Sequence, residues 1–219
     1  MTSIQSIALG VPDPTAAEAF YTGAFGLADQ VTLRASEAPT SGFRACMLSL
    51  VVSQPATVDT LIGAALDAGA TPLKPVKKSL WGYGGVIQAP DGAICKVATS
   101  SKKDTGPATR QIDEIVLLLG AEDVPASKQF YVEHGLKVDK SFGRKYVQFA
   151  TQGVKLALYG RRALAKNAGV SPDGTGSHRI VIGSDIGPFT DPDGFAWQPA
   201  DAPLRPAFVT AASAIAAAT

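Results

Sequence analysis

This chain repeats itself. The stretch "SIALGVPDPTAAEAFYTGAFGL" at 6–27 aligns with "EIVLLLGAEDVPASKQFYVEHGL" at 114–136, so that Phe20-Tyr21 matches Phe130-Tyr131 and Gly26-Leu27 matches Gly135-Leu136. A second signature is doubled at a similar separation. "VIQAPDGAICKVA" at 86–98 and "FTDPDGFAWQPA" at 189–200 both read as strand, Pro-Asp-Gly turn, strand. A sequence that duplicates a helix entry and a hairpin in the same order is built from two related units. The hairpins raise their own question, which is what the second strand of each is for.

The helix entries stand on local chemistry. Asp13 can cap a helix, Pro14 suits its first turn, and Ala17, Phe20, Tyr21 and Ala24 share a face. Gly26 and Gly135 suit the left-handed residue that closes such helices. A second helix is predicted over 57–70, with Val58, Leu61, Ile62, Ala65 and Leu66 as its buried stripe and Gly69 at its end. "RRALAKNAG" at 161–169 is a shorter candidate. "QVTLRA", "RACMLSLVVS", "YVQFAT", "VKLALYG" and "HRIVIG" read as strands, being short, rich in Val, Ile and Leu, and bounded by Gly, Ser and Pro. The polar run "SSKKDTGPATR" is the best linker. The expected organisation is one α+β unit over 1–101, a linker at 102–110, a second and degenerate unit over 111–200, and an Ala-rich tail at 201–219.

Composition excludes several classes. With 219 residues, 46% of them hydrophobic, there is enough material for two small cores. Lys and Arg number 20 against 19 Asp and Glu, so neither nucleic acid nor an anionic membrane is an expected partner. Apolar runs are shorter than a membrane span, and the N-terminus carries no export signal, so a cytoplasmic address is expected. Cys46 and Cys95 each lie in an apolar run and are expected to be buried free thiols.

The strand-to-helix segment "SIALGVPDPTAAEAFY" with its copy, "WGYGGVIQAPDGAICKV", and "FTDPDGFAWQP" resemble the vicinal oxygen chelate superfamily, which groups glyoxalase I, bleomycin-resistance proteins and extradiol dioxygenases. The resemblance covers residues 1–200. It implies tandem βαβββ modules whose curved, largely antiparallel sheets enclose cup-shaped pockets. In metal-using members the first strand supplies a His or Gln, a middle strand another His, and a Glu follows four residues after the Gly of the hairpin turn. In the first half these positions fall on Ser6, near Met47, and on Lys96, a poor set for a divalent ion. In the second half they fall on Glu114 and Gln198, with His178 of "GSHRIVIG" the candidate third ligand. End-to-end alignment of the halves instead puts His178 near Lys77, on the strand after the second helix.

Beyond the metal positions, Trp81 and Tyr83 lie in the Gly-rich "SLWGYGG", and Arg144, Tyr146 and Tyr159 in "SFGRKYVQFATQGVKLALYGRR". With Trp197 of the second hairpin they form the expected ligand-binding set, since aromatic faces with polar tips suit flat organic molecules. His134 reads as a helix C-terminal cap. The function expected from the resemblance is binding of a small organic ligand, aromatic natural products included, in a cup without a full metal site or cofactor. The alternative is a metal-dependent lyase, isomerase or dioxygenase using Fe, Mn, Ni or Zn on Glu114, His178 and Gln198. A metal-free enzyme with Glu114 or a pocket tyrosine as its acid or base is a third reading. A monomer or homodimer would serve any of these.

Overall fold

The computed structural model describes residues 1–26, 31–80 and 82–200. Trp81, Leu27 and the Ala-rich tail therefore lie outside the described residues. Both repeated helices form as their caps dictate. The helix α1 (Pro14–Phe25) starts where the Asp13 carboxylate accepts the N–H groups of Thr15 at 2.9 Å and Ala16 at 3.1 Å, and stops at Gly26, whose φ of 67° is left-handed. Its counterpart α3 (Val124–Glu133) begins on Asp123 in the same way and ends at His134, whose Nδ1 lies 2.8 Å from the Phe130 carbonyl. The helix α2 (Pro55–Asp67) buries Val58, Leu61, Ile62 and Ala65, but Leu66, expected in that stripe, is 38% exposed. The fourth helix, α4, spans Arg161–Ala168. No helix among the described residues is long and apolar enough to cross a membrane.

The strands in chain order are β1 (Ser3–Val11), β2 (Val31–Ala35), β3 (Thr40–Gly42), β4 (Cys46–Val51), β5 (Thr71–Ser79), β6 (Gly82–Gln88) and β7 (Ile94–Thr99). The second half adds β8 (Glu114–Ala121), β9 (Val138–Phe142), β10 (Tyr146–Phe149), β11 (Gln152–Gly153), β12 (Lys155–Gly160), β13 (Gly174–Gly176), β14 (Ile180–Ser184), β15 (Phe189–Thr190) and β16 (Ala196–Pro199). Eight of them form one sheet in the order β5-β6-β7-β4-β8-β12-β10-β9. Each half of this sheet is a strand, a helix and three strands, with the fourth strand lying parallel beside the first (β7 on β4, β12 on β8) and the third and second following outward. The two first strands, β4 and β8, meet antiparallel at the centre.

The smaller sheet, β11-β1-β14-β16-β15 with β2 also paired to β1 beyond β11, has the same plan with parts removed. Here β1 and β14 meet antiparallel, and each has a parallel neighbour, β2 and β16. The polar run 102–110 thus connects β7 to β8, but it does not separate two sheets. Both sheets take strands from both halves of the chain. The run is pinned as well: Gln54 Nε2 donates to the carbonyls of Gly106 (3.2 Å) and Pro107 (2.7 Å), and its Oε1 accepts from the N–H of Thr105 (2.7 Å).

Alternation decides which face is buried. On β4, β7, β8 and β12 one set of side chains, with Leu50, Val97, Leu117 and Leu156 each at 0% exposure, packs toward α2 and α3. The helix α3 connects the sheets, since Tyr131 contacts Phe149 of β10 and Trp197 of β16. The Phe-Tyr pairs of the repeat also explain the repeated hairpins. Tyr21 donates to the Asp91 carboxylate of the first turn at 3.0 Å, and Tyr131 donates to Asp191 of the second. Each hairpin is a docking point for the buried tyrosine of its own half's helix. Asp191 also accepts the N–H groups of Asp193 (3.0 Å) and Phe195 (2.7 Å), so one carboxylate organises the turn and ties it to α3. Cys46 and Cys95 are free thiols, and burial pushes Cys46 up to about 12.

Candidate functional site

The face of the eight-stranded sheet opposite the aliphatic layer carries the chemistry. Register pairs place Val86, Lys96, Ser49, Val116 and Lys155 in one row across β6, β7, β4, β8 and β12. The adjoining row holds Gly84, Ala98, Val51 and Glu114. Lys96, which falls on the resemblance's carboxylate position in the first half, and Glu114, a candidate from the second, therefore share a face of one sheet. Further along lie Gln148, Tyr146 and Tyr159. The tyrosine rings meet edge to face at 4.8 Å, and Tyr146 donates to Gln148 Oε1 at 2.9 Å. Burial, then Tyr159, Asp139 and Glu114, push Tyr146 up to about 12, so it is a proton donor across the neutral range.

Part of this face is covered from within the chain. A side chain on Gly120 would point to the same side and meet Arg161 and Leu164 of α4, and Lys74 donates to the carbonyl of Lys166 near the helix's far end. The helix α4 therefore lies across the face. Met47 and Leu118 on the floor are buried, as are Leu164, Ala165 and Ala168 of the helix. At its C-terminal end a hollow of about 280 Å³ remains, lined by Lys74, Lys77, Tyr83, Gly84, Lys96, Ala98 and Asn167 among others. A side chain on Gly84 would meet the Ala98 methyl at 2.9 Å, so the small residues there keep the floor low.

Two lysines reach this hollow through an irregularity of β5. Lys74 pairs with Val86 and Lys77 with Gly84, three residues set against two, so a bulge returns Lys77 to the face of Lys74. Regular alternation would have pointed it away. Burial, then the neighbouring Lys74, pull Lys96 below its ordinary value, and burial, Lys77 and Lys166 do the same to Lys74. Lys74, Lys77 and Asn167 were not among the residues singled out from sequence. "PLKPVKKS" signals charge, but neither the bulge nor the approach of α4 can be read from it.

The other expected site residues divide between the sheets. Tyr83 borders the hollow by its place on β6, but alternation from Gly84 turns its ring to the α2 side, where its hydroxyl donates to Asp59 at 2.8 Å, the leading cause of its raised pKa. Arg144 is exposed in the turn between β9 and β10. Trp197 is sealed in the interior at 1% exposure, stacked on Phe189 at 5.2 Å, with its Nε1 donating to the Tyr131 hydroxyl at 3.3 Å. His178 directly precedes β14, which lies at the centre of its sheet against β1, so it is not the counterpart of Lys77 on the edge strand β5, and both its ring nitrogens are taken, by the carbonyls of Arg44 (2.8 Å) and Asp193 (2.9 Å). Gln198 pairs with Gly183, itself opposite Ser6, and its Oε1 is buried without a hydrogen-bond partner among the described residues.

The structure does not bring Glu114, His178 and Gln198 together. His178 is bonded beside the start of β4, whereas Glu114 pairs with Val51 at its other end, five residues and about 16 Å away along the strand. Around Lys96 the donor set is one ammonium, Ser49 and Val116, which does not suit a divalent ion. Among the described residues no group of three His, Cys, Asp or Glu side chains could hold a metal.

The sequence matches no family model and no curated protein. Solved structures with a similar fold include glyoxalase I from Zea mays, with a TM-score of 0.59 and 15% identity over 90% of this chain and 91% of that one. Another is a provisionally designated dioxygenase from Bacillus subtilis subsp. subtilis str. 168, with a TM-score of 0.52 and 13% identity over 82% of this chain and 69% of that one. At such identities the likeness is one of fold.

Proposed function

From the glyoxalase/bleomycin-resistance/dioxygenase fold that this chain adopts, we propose that it binds a small organic molecule on the concave face of its eight-stranded sheet, without a metal. The observation that carries this reading is the hollow beside α4, a concave space bounded by small residues and a few convergent polar groups. Lys96 supports the metal-free part, because it stands where metal-using proteins of this kind place a carboxylate. An ammonium there repels a cation and attracts substrate oxygens.

Two measurements test it. Protein purified without chelator is expected to carry far less than one equivalent of Fe, Mn, Ni or Zn, and a stoichiometric metal overturns the metal-free reading. Ligand-observed NMR with a set of aromatic fragments is expected to show binding that is lost in Ala98→Leu, where a larger side chain fills the hollow. If no fragment binds, or Ala98→Leu binds them equally well, the hollow is not the site.

A further inference from the structure

We propose that the hollow beside α4 is an anion site that takes a compact organic molecule with a carboxylate or phosphate group, held by Lys96 with Lys74 and Lys77. The inference rests on the ligand-binding reading above and names the class of ligand. Three lysines from two strands converge on one hollow of about 280 Å³. The bulge in β5 is what brings Lys77 to the same face as Lys74 and Lys96. Among the described residues none of the three forms an ion pair; the one salt bridge found joins Arg161 to Glu122.

Most lysines on a sheet face solvent or a carboxylate. Lys96 instead lies mid-strand, half-buried and next to another ammonium. The Glu114 carboxylate shares this face but stands on β8, with β4 between it and the strand of Lys96, and two groups closer to the lysines temper the positive charge. Lys74 donates to the Lys166 carbonyl and so caps α4, and Asp59 lies behind Tyr83, whose hydroxyl occupies it. Neither neutralises Lys96 or Lys77. Like charges gathered in a partly dry recess are stabilised by an anion that bridges them, and a charge-assisted hydrogen bond there is stronger than one in open water. Gly84 and Ala98, small residues on the floor, leave room for a small organic body beside the anionic head.

The test is calorimetric titration of the full chain in low-salt buffer with phenyl phosphate, benzoate and benzyl alcohol. Sodium chloride at matched ionic strength is the control. The better of the two anions is expected to bind at least about tenfold more tightly than the neutral alcohol, and a preference between them separates phosphate esters from carboxylates. Lys96→Met should lose about tenfold in anion affinity, Lys96→Arg should retain most of it, and Lys102→Met, in the polar connection, should lose none. Lys96→Met replaces a poorly solvated charge by an apolar chain of similar length, so it is expected to melt no lower than the native chain. Equal affinity for the alcohol and both anions overturns the anion assignment while leaving the ligand-binding reading standing. Failure of all three probes overturns both. Native anion affinity in a folded Lys96→Met chain removes Lys96 from the site and overturns the proposal.

Discussion

Asp191 shows how much one side chain can organise. Its carboxylate takes the Tyr131 hydroxyl and the N–H groups of Asp193 and Phe195, yet burial still raises its pKa above the ordinary 3.8, these donors only partly opposing the shift. The folded state therefore holds a proton more tightly than the unfolded chain. Asp191's contribution is fully present below 3.8 and is lost as pH rises through the raised value. Asp191→Asn keeps the acceptor oxygen and cannot titrate. Relative to it, native stability is expected to fall with rising pH across that window, as read by urea unfolding at a series of pH values. A pH-independent difference would show that Asp191 does not titrate in its raised range. Trp197 is argued from the same cluster. Stacked on Phe189 and bonded to Tyr131, its ring is part of the interior, and Trp197→Ala is expected to cost about 3–5 kcal/mol of stability. Near-native unfolding of that variant would contradict the packing described.

At the scale of elements, α4 separates this chain from a simple open cup. It buries Leu164, Ala165 and Ala168 on a sheet face that would otherwise expose Met47 and Leu118. Leu164→Ala is expected to cost about 2–5 kcal/mol and to raise binding of a hydrophobic dye by uncovering that floor. A small loss with no added dye binding would mean that α4 adheres weakly. Sequence showed the helix itself, through its pattern and Gly169, but not where it lies, because position depends on tertiary contacts that no local pattern carries. The same divide runs through the strands. Central strands such as β4, β8 and β12 announce themselves by continuous apolar runs. The edge strands β5 and β9 did not, for "TPLKPVKKS" and "VDKSF" are mostly exposed and carry the Pro and Lys that protect a sheet edge. Glu114, Tyr146 and Tyr159 were legible as candidates and do share a face, joined there by Lys96, which the sequence marked only as unsuited to a metal. The proposed trio of Glu114, His178 and Gln198 was not separable by sequence alone, since its members belong to sheets whose pairing only the fold reveals.

For the whole molecule, the duplication has an unexpected outcome in assembly. Two related halves could each have closed a sheet of their own. Instead β4 pairs with β8 over six residue pairs, and β1 with β14 over five, so the halves are interleaved by their first strands. Separating them would expose the edges of β1 and β4 in one fragment and of β8 and β14 in the other, each with a buried apolar side and unpaired backbone donors and acceptors. In the intact chain Arg110 of the connection adds a tie by donating to the Gly23 and Ala24 carbonyls of α1, one that the fragments below lack. Fragments 1–101 and 111–219 are therefore expected not to fold separately as monomers. Mixed after refolding together, they should form a one-to-one complex whose circular dichroism and melting resemble the intact chain. The stability of the complex should fall on dilution, because joining two pieces costs the translational entropy that the 102–110 connection removes. Sedimentation and thermal melts of each fragment alone decide the matter: a monomeric fragment with a cooperative transition would show that one half contains a complete core, and the interleaved pairing would then be a contact between finished units.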